Sequence, residues 1–221
     1  MPDNVPDNDF LLSVPVRKYC LVLLAIVIGL ITVHCSFNYY NHVFEEVPWL
    51  IQQLFDLDEE NNIPTWFSGF LLLNNAFFLF LIAKAKQGQY VVHWKLLALG
   101  FLILSLDEVA GLHESFNTAT DINWAIPGAV LVSVVGLIFV PFLLSLERRL
   151  AGLFVLAGTL YISGAIGVEL LSEDMDEDEM AYGFATAVEE GMEMLGALMF
   201  LAVNLFEMKK GNRVNIAVSA G

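Results

Sequence analysis

Ser105-Leu106-Asp107-Glu108-Val109-Ala110-Gly111-Leu112-His113-Glu114 ends an apolar run that includes Leu96-Leu97-Ala98-Leu99-Gly100-Phe101-Leu102-Ile103-Leu104. The run and its acidic end together are long enough to cross a hydrocarbon core of ~30 Å, which takes about 20 helical residues. Three carboxylates and a histidine at the end of one such helix are expensive and are retained for a purpose. A second stretch, Val188-Glu189-Glu190-Gly191-Met192-Glu193-Met194, repeats the anomaly inside another apolar segment. Reading these two stretches as membrane helices decides the fold, and their acids direct attention to function.

The composition supports the reading. Of 221 residues, 57% are hydrophobic, where a soluble domain is nearer 45–50% apolar. Six apolar runs are long enough to span, near residues 17–37, 64–83, 93–116, 124–146, 150–171 and 181–206. The expected fold is therefore an all-α polytopic helix bundle over residues 17–206. A polar tail at 1–16, expected to be disordered, precedes it, and a cytoplasmic tail at 207–221 follows. The ten basic residues fall in four groups: Arg17 and Lys18; Lys84, Lys86 and Lys95; Arg148 and Arg149; Lys209, Lys210 and Arg213. These groups mark alternate ends of the spans, so the positive-inside rule places both termini in the cytoplasm. The first apolar run is too long for a cleavable signal, and Cys35-Ser36-Phe37 is not a small-residue cleavage site. The net charge of −15 leaves no basic surface for nucleic acid.

Between the anchors the chain offers mostly structural readings. Cys20 and Cys35 lie on one helix about 22 Å apart and cannot bridge each other. His34 reads as a hydrogen-bonded residue near the outer end of the first span. Residues 39–55, with their aromatics, suit a segment lying at the interface. Asp56, Asp58 and Glu60 have the spacing of a calcium loop, but Asn61 replaces its glycine and Phe67 its closing glutamate, so a solvated acidic loop is expected. Asn74 and Asn75 suit hydrogen bonds between helices, and the small residues of the fifth span suit close packing.

Helix geometry brings the acids together. At 100° per residue, Asp107, Glu108, Gly111 and Glu114 occupy an arc of about 120°. His113 lies about 100° outside it unless the helix loosens near Gly111. Glu189, Glu190 and Glu193 share one face of the sixth span. Asp107 and Glu189 each lie about 13 Å below the outer surface, with Glu193 deeper and Glu169 shallower. Seven such carboxylates cost on the order of 10 kcal/mol to insert, and no base in that half neutralises them. Bound metal, bound protons or water in an outward-facing cavity must compensate. Oxygen ligands with a histidine suit a divalent ion such as iron, manganese, zinc or calcium. The candidate metal ligands are Asp107, Glu108, His113, Glu114, Glu190 and Glu193, and the candidate catalytic bases are Glu169 and Glu189.

The motifs Asn62-Ile63-Pro64-Thr65-Trp66-Phe67-Ser68, Ser105-Leu106-Asp107-Glu108…His113-Glu114 and Glu189-Glu190…Glu193-Met194 resemble those of an uncharacterised family of small polytopic bacterial inner-membrane proteins. The resemblance covers about residues 40–205. It implies a multi-pass protein of the bacterial inner membrane and no particular activity. The Leu-Asp-Glu within a membrane helix is also similar to that of alkaline ceramidase-like zinc hydrolases. Those proteins carry seven spans and a His-x-x-x-His pair that this chain lacks. Three functions are open: a metal-dependent membrane enzyme acting on a lipid or amphiphile, a cation- or proton-coupled transporter, and a cation or proton sensor. The expected partners are membrane lipids, and a homo-oligomer is left open.

Overall fold

In a computed structural model, residues 10–208 and 213–218 are described. The chain is a bundle of helices with a two-stranded ribbon at one end. Strand β1 (Phe10–Pro15) leads into α1 (Val16–Val43), a short α2 (Trp49–Phe55) and α3 (Ile63–Ala85). Then come α4 (Val91–Ala110), α5 (Leu112–Thr120), α6 (Ala125–Ser145) and α7 (Arg148–Ile162). A π-turn over Ser163–Val168 joins α7 to α8 (Glu169–Ser172), and α9 (Met180–Met208) and β2 (Arg213–Val218) complete the order. Five helices are long and apolar enough to cross a membrane, or six if the bent pair α4–α5 counts as one span.

Helix α9 is the axis of the bundle. It packs along α1, α3, α7 and the π-turn, while α4 lies chiefly on α3. Glycine sets two of these approaches. A Cβ on Gly196 of α9 would lie 2.7–2.8 Å from the backbone and Cβ of Tyr161 on α7. One on Gly69 of α3 would lie 2.8 Å from Val109 on α4. Toward the ribbon end the core is apolar, with Leu79, Leu201 and Leu205 completely buried, and Leu71 and Leu72, equally buried, continue it toward the other end. Its polar exceptions satisfy one another, as Asn75 Nδ2 donates to the Ala197 carbonyl (2.8 Å) and Asn204 Nδ2 to Asn75 Oδ1 (2.9 Å). The Tyr19 hydroxyl donates to Asn74 Oδ1 at 2.9 Å, so both asparagines of α3 link helices as expected.

Three expectations need correction. The tail expected to be disordered forms β1 over Phe10–Pro15, paired antiparallel with β2 from Phe10↔Val218 to Pro15↔Arg213. Each strand alone is a short polar-flanked segment, and only pairing across the ends of the chain satisfies its backbone. Residues 1–9, Lys209 and Lys210 lie outside the described residues. Pairing of the two strands brings the described ends of the chain together at one end of the bundle.

The second correction concerns the third span, which is not straight over 93–116. At Gly111 the backbone turns left-handed (φ 58°, ψ 41°) and α5 bends away by 68°. Asp107 therefore sits three residues from a helix end, about 5 Å, and not deep within a continuous helix.

The third correction is the 56–62 loop, which keeps Asp58, Glu59 and Asn61 exposed as expected but is folded against the bundle. Leu57 is 5% exposed, and its amide donates to His34 Nδ1 at 3.0 Å. His34 Nδ1 also lies 3.2 Å from Asp56 Oδ1, and its Nε2 reaches the Gly183 carbonyl at 2.9 Å. Asn62 caps α3 by accepting from the Thr65 amide (3.1 Å) while its Nδ2 donates to the Asp56 carbonyl (2.6 Å). A histidine and an asparagine thus hold the acidic loop across the top of the bundle.

Candidate functional site

A cavity of about 410 Å³ opens at the end of the bundle away from the β-ribbon, between α4, α5, the π-turn and α9, beneath the 56–62 loop. Its walls carry Asp58, Asp107, Glu108, Glu114, Glu169, Glu173, Glu177, Glu189, Glu190 and Glu193, with His113, Trp124, Tyr161 and Tyr182. All eight residues singled out from the sequence line it. No lysine or arginine does, among the described residues.

The local folding of each element explains its contribution. Ser105 Oγ donates to the Gly69 carbonyl at 2.8 Å, which fixes α4 against α3 one turn below Asp107 and Glu108. At Gly111 the turn to α5 swings His113 back over α4, so that its Nδ1 lies 3.2 Å from Asp107 Oδ2. A continuous helix would have kept the two about 120° of helix rotation apart. Trp124 packs on the imidazole with ring centroids 5.4 Å apart. The π-turn puts one extra residue in the coil, a feature common at working sites. Gly164 within it lets α9 approach closely, since a Cβ there would lie 2.7 Å from the Glu189 carbonyl. Glu169, at the exit of the turn, accepts from Asn123 Nδ2 at 3.1 Å.

Sequence reasoning missed Glu60 and Asp58. Glu60 reaches down so that one of its carboxylate oxygens, one ring nitrogen of His113 and one oxygen of Glu114 all lie within 4.8 Å of one another. Glu60 Oε1 is 3.9 Å from His113 Nε2 and, among the described residues, has no hydrogen-bond partner although it is buried. Burial and the neighbouring Glu114 raise the Glu60 pKa above the usual carboxylate range. Asp58 accepts from the Tyr182 hydroxyl at 2.9 Å, and burial foremost raises its pKa as well. The signal for both was the Asp56-x-Asp58-x-Glu60 alternation, which fails the calcium-loop pattern but sits beside a helix-capping Asn62 and Pro64.

Two groups of acid result. Between this cavity and a neighbouring one lined by Glu59, Glu60 and Glu114, the half-buried Glu60 and His113 and the exposed Glu114 form a compact three-ligand group, and Asp107 holds the other imidazole nitrogen. This is the arrangement in which a carboxylate fixes the tautomer of a metal-binding histidine. Glu108, Glu190 and Glu193 lie outside that group, and Glu193 is 9% exposed. A divalent ion fits the three-ligand group: it has hard oxygen donors, one imidazole nitrogen and an orphaned buried oxygen aimed at it. Gly111 keeps the space open, because a Cβ there would strike the Glu60 carboxylate.

The chain belongs to the family described as Domain of unknown function (DUF8692), whose model matches residues 20–208. No curated protein and no solved structure matches the chain.

Proposed function

We propose, from the apolar helices, the basic residues collected at alternate helix ends and this cavity, that the chain is a multi-pass protein of the bacterial inner membrane with a divalent-metal site opening to the outer side. Its chemistry is best read as that of a metal-dependent membrane enzyme acting on a lipid or amphiphile. Both termini then face the cytoplasm, where the basic residues collect. One observation carries the reading: Glu60, His113 and Glu114 converge within 4.8 Å, while Asp107 occupies the far side of the imidazole.

A bound divalent ion would supply Lewis acidity or a water of lowered pKa. The chain's own residues do the rest. Asp107 and the Trp124 ring fix His113 in orientation. Glu169, held by Asn123, and Glu189 face the cavity as bases that can take a proton. Tyr161 and Tyr182 offer hydroxyls that can give or share one. The apolar leucine layer under Glu193 argues against a through-path for ions, so an enzyme is favoured over a transporter.

The test is elemental analysis of the protein purified in detergent without added metal, then soaked with iron, manganese, zinc or calcium. Near-stoichiometric metal is expected in the wild type and is lost in Glu60→Gln and His113→Ala. Asp107→Asn should weaken affinity by about 10–100-fold, as outer-shell changes do. A wild type that stays metal-free after soaking refutes the metal site.

A further inference from the structure

The 56–62 loop roofs the acidic cavity and is fastened to several helices. At its foot the Thr65 hydroxyl of α3 donates to the Glu59 carbonyl at 3.1 Å. Toward α9, the Asp58 carboxylate accepts from the Tyr182 hydroxyl at 2.9 Å. A further fastening is His34 of α1, which is 7% exposed and joins Leu57 of the loop to Gly183 of α9.

The two ring nitrogens of His34 face different demands. Nε2 lies 2.9 Å from the Gly183 carbonyl, an acceptor, and so carries a hydrogen. Nδ1 lies 3.0 Å from the Leu57 amide, a donor, and 3.2 Å from Asp56 Oδ1, an acceptor. One nitrogen can serve only one of them. Without a proton, Nδ1 accepts from Leu57, and the Asp56 carboxylate keeps the Asp58 amide at 3.2 Å. With a proton, Nδ1 donates to Asp56, and the Leu57 amide is left facing an N–H. Leu57 is 5% exposed, and a buried amide stays buried only where it has an acceptor. The charge of the ring is therefore coupled to the seating of Leu57. The charged groups facing the ring are Asp56 and Asp58 of the loop, with Glu177 acting on Asp58 from the connection before α9. Helix α9 itself presents the Gly183 carbonyl, and its Tyr182 hydroxyl is engaged by Asp58. Against burial, the His34 ring and the Asp58 amide hold Asp56 below the usual carboxylate range, so it stays ionised while the ring titrates.

We infer that His34 is an acid-sensitive latch on the 56–62 loop: the neutral ring seats Leu57 and holds the loop over the cavity, and protonation turns the ring to Asp56 and frees Leu57. Histidine is the side chain that ordinarily changes charge between about pH 5 and 8. Leu57 and Asp58 line the acidic cavity, and Glu60, farther along the loop, lines its neighbour. Release of Leu57 therefore opens the roof of the first cavity and loosens the segment that carries Glu60. The Tyr182 bond to Asp58 and the Thr65 bond to Glu59 do not involve the ring, so the loop opens at Leu57 while its foot stays on α3. The latch needs no bound ion, because among the described contacts none joins His34 to Glu60, His113 or Glu114.

The experiment uses the full chain in detergent, kept free of metal so that its outcome is independent of the metal site. Hydrogen exchange of the peptide containing Leu57 is followed by mass spectrometry at about pH 5.5 and 7.5, on either side of the ordinary histidine range. Rates are corrected for the intrinsic effect of pH, and the buried stretch of α9 around Leu201 and Leu205 is the internal control. Protection around Leu57 should be lower by about tenfold or more at the acid value, with the control unchanged. Nitrogen NMR of labelled histidine should show Nδ1 of His34 gaining its proton over the same range. His34→Gln offers Leu57 an amide oxygen and Gly183 an N–H without any charge, so it should be equally protected at both pH values. Asp56→Asn removes the carboxylate that receives the protonated ring, so its loss of protection should need a lower pH. Equal protection at both pH values in the wild type overturns the latch, as does an Nδ1 that never gains a proton. Loosening that extends to the control, or an acid loss that persists in His34→Gln, also overturns it. Should His34→Gln fail to fold, the wild-type spectra and the Asp56→Asn midpoint decide: an unmoved midpoint overturns the latch.

Discussion

Replacing Gly111 with alanine tests the bend and the metal group together. Gly111 has φ 58°, a left-handed conformation that costs an L residue about 1–2 kcal/mol. The added Cβ also meets the Glu60 carboxylate, whose Cδ would be only 2.8 Å away. The struck atoms are the end of a flexible side chain, so the carboxylate moves and little further folding energy is lost. Two separable effects follow. Stability falls by about 1–2 kcal/mol, on the order of 5 °C in melting temperature for a chain of this length. Metal affinity falls because Glu60 leaves its place beside His113 Nε2. Gly111→Asn separates them: asparagine tolerates the left-handed region, so it should recover most of the stability and none of the affinity. Gly136→Ala is the control, since nothing lies within 4 Å and alanine favours a helix by up to about 1 kcal/mol. Melting curves and metal titrations of the three variants read both quantities. A Gly111→Ala protein with wild-type melting and wild-type affinity would refute the bend and the contact.

Two further outcomes are expected. Gly196→Ala forces a methyl to within 2.7–2.8 Å of the Tyr161 backbone, so it should cost about 1–3 kcal/mol of overpacking in denaturation of the detergent-solubilised protein. Asp56 and Asp58 should show opposite dependences on pH. Burial works to raise the Asp56 pKa, but the neighbouring His34 and the hydrogen bond from the Asp58 amide together prevail, so its folded value lies below 3.8; its stabilisation is present above that and lost as pH falls through the folded value. Asp58 is raised by burial, so its contribution is full below 3.8 and is lost as pH rises toward its folded value. Melting scans from about pH 3 to 7 should thus find Asp58→Asn more stable than wild type at the upper end and Asp56→Asn less stable there. The same sign for both variants would refute the assignment.

Much of the candidate site could be read from the sequence because insertion into a membrane makes each carboxylate conspicuous. Asp107, Glu108, Glu169, Glu189, Glu190 and Glu193 needed only helical periodicity and the scarcity of charge in apolar runs to be singled out. Glu60 and Asp58 had no such mark. They stand in a polar loop, where acids cost nothing, and only the hold of His34 on Asp56 and Leu57 turns them inward.

By itself the sequence determined the helical membrane bundle, since hydrophobic length and the distribution of charge act locally along the chain and need no partner. Pairing of the two ends, the turn at Gly111, the closing of the 56–62 loop over the cavity and the alignment of Glu60 with His113 were decided only by tertiary structure. Each depends on groups brought together from distant positions, as when His34 meets Leu57 and Gly183. A buried polar group is stable only where a partner satisfies it, and which partner comes within reach is a property of the folded bundle.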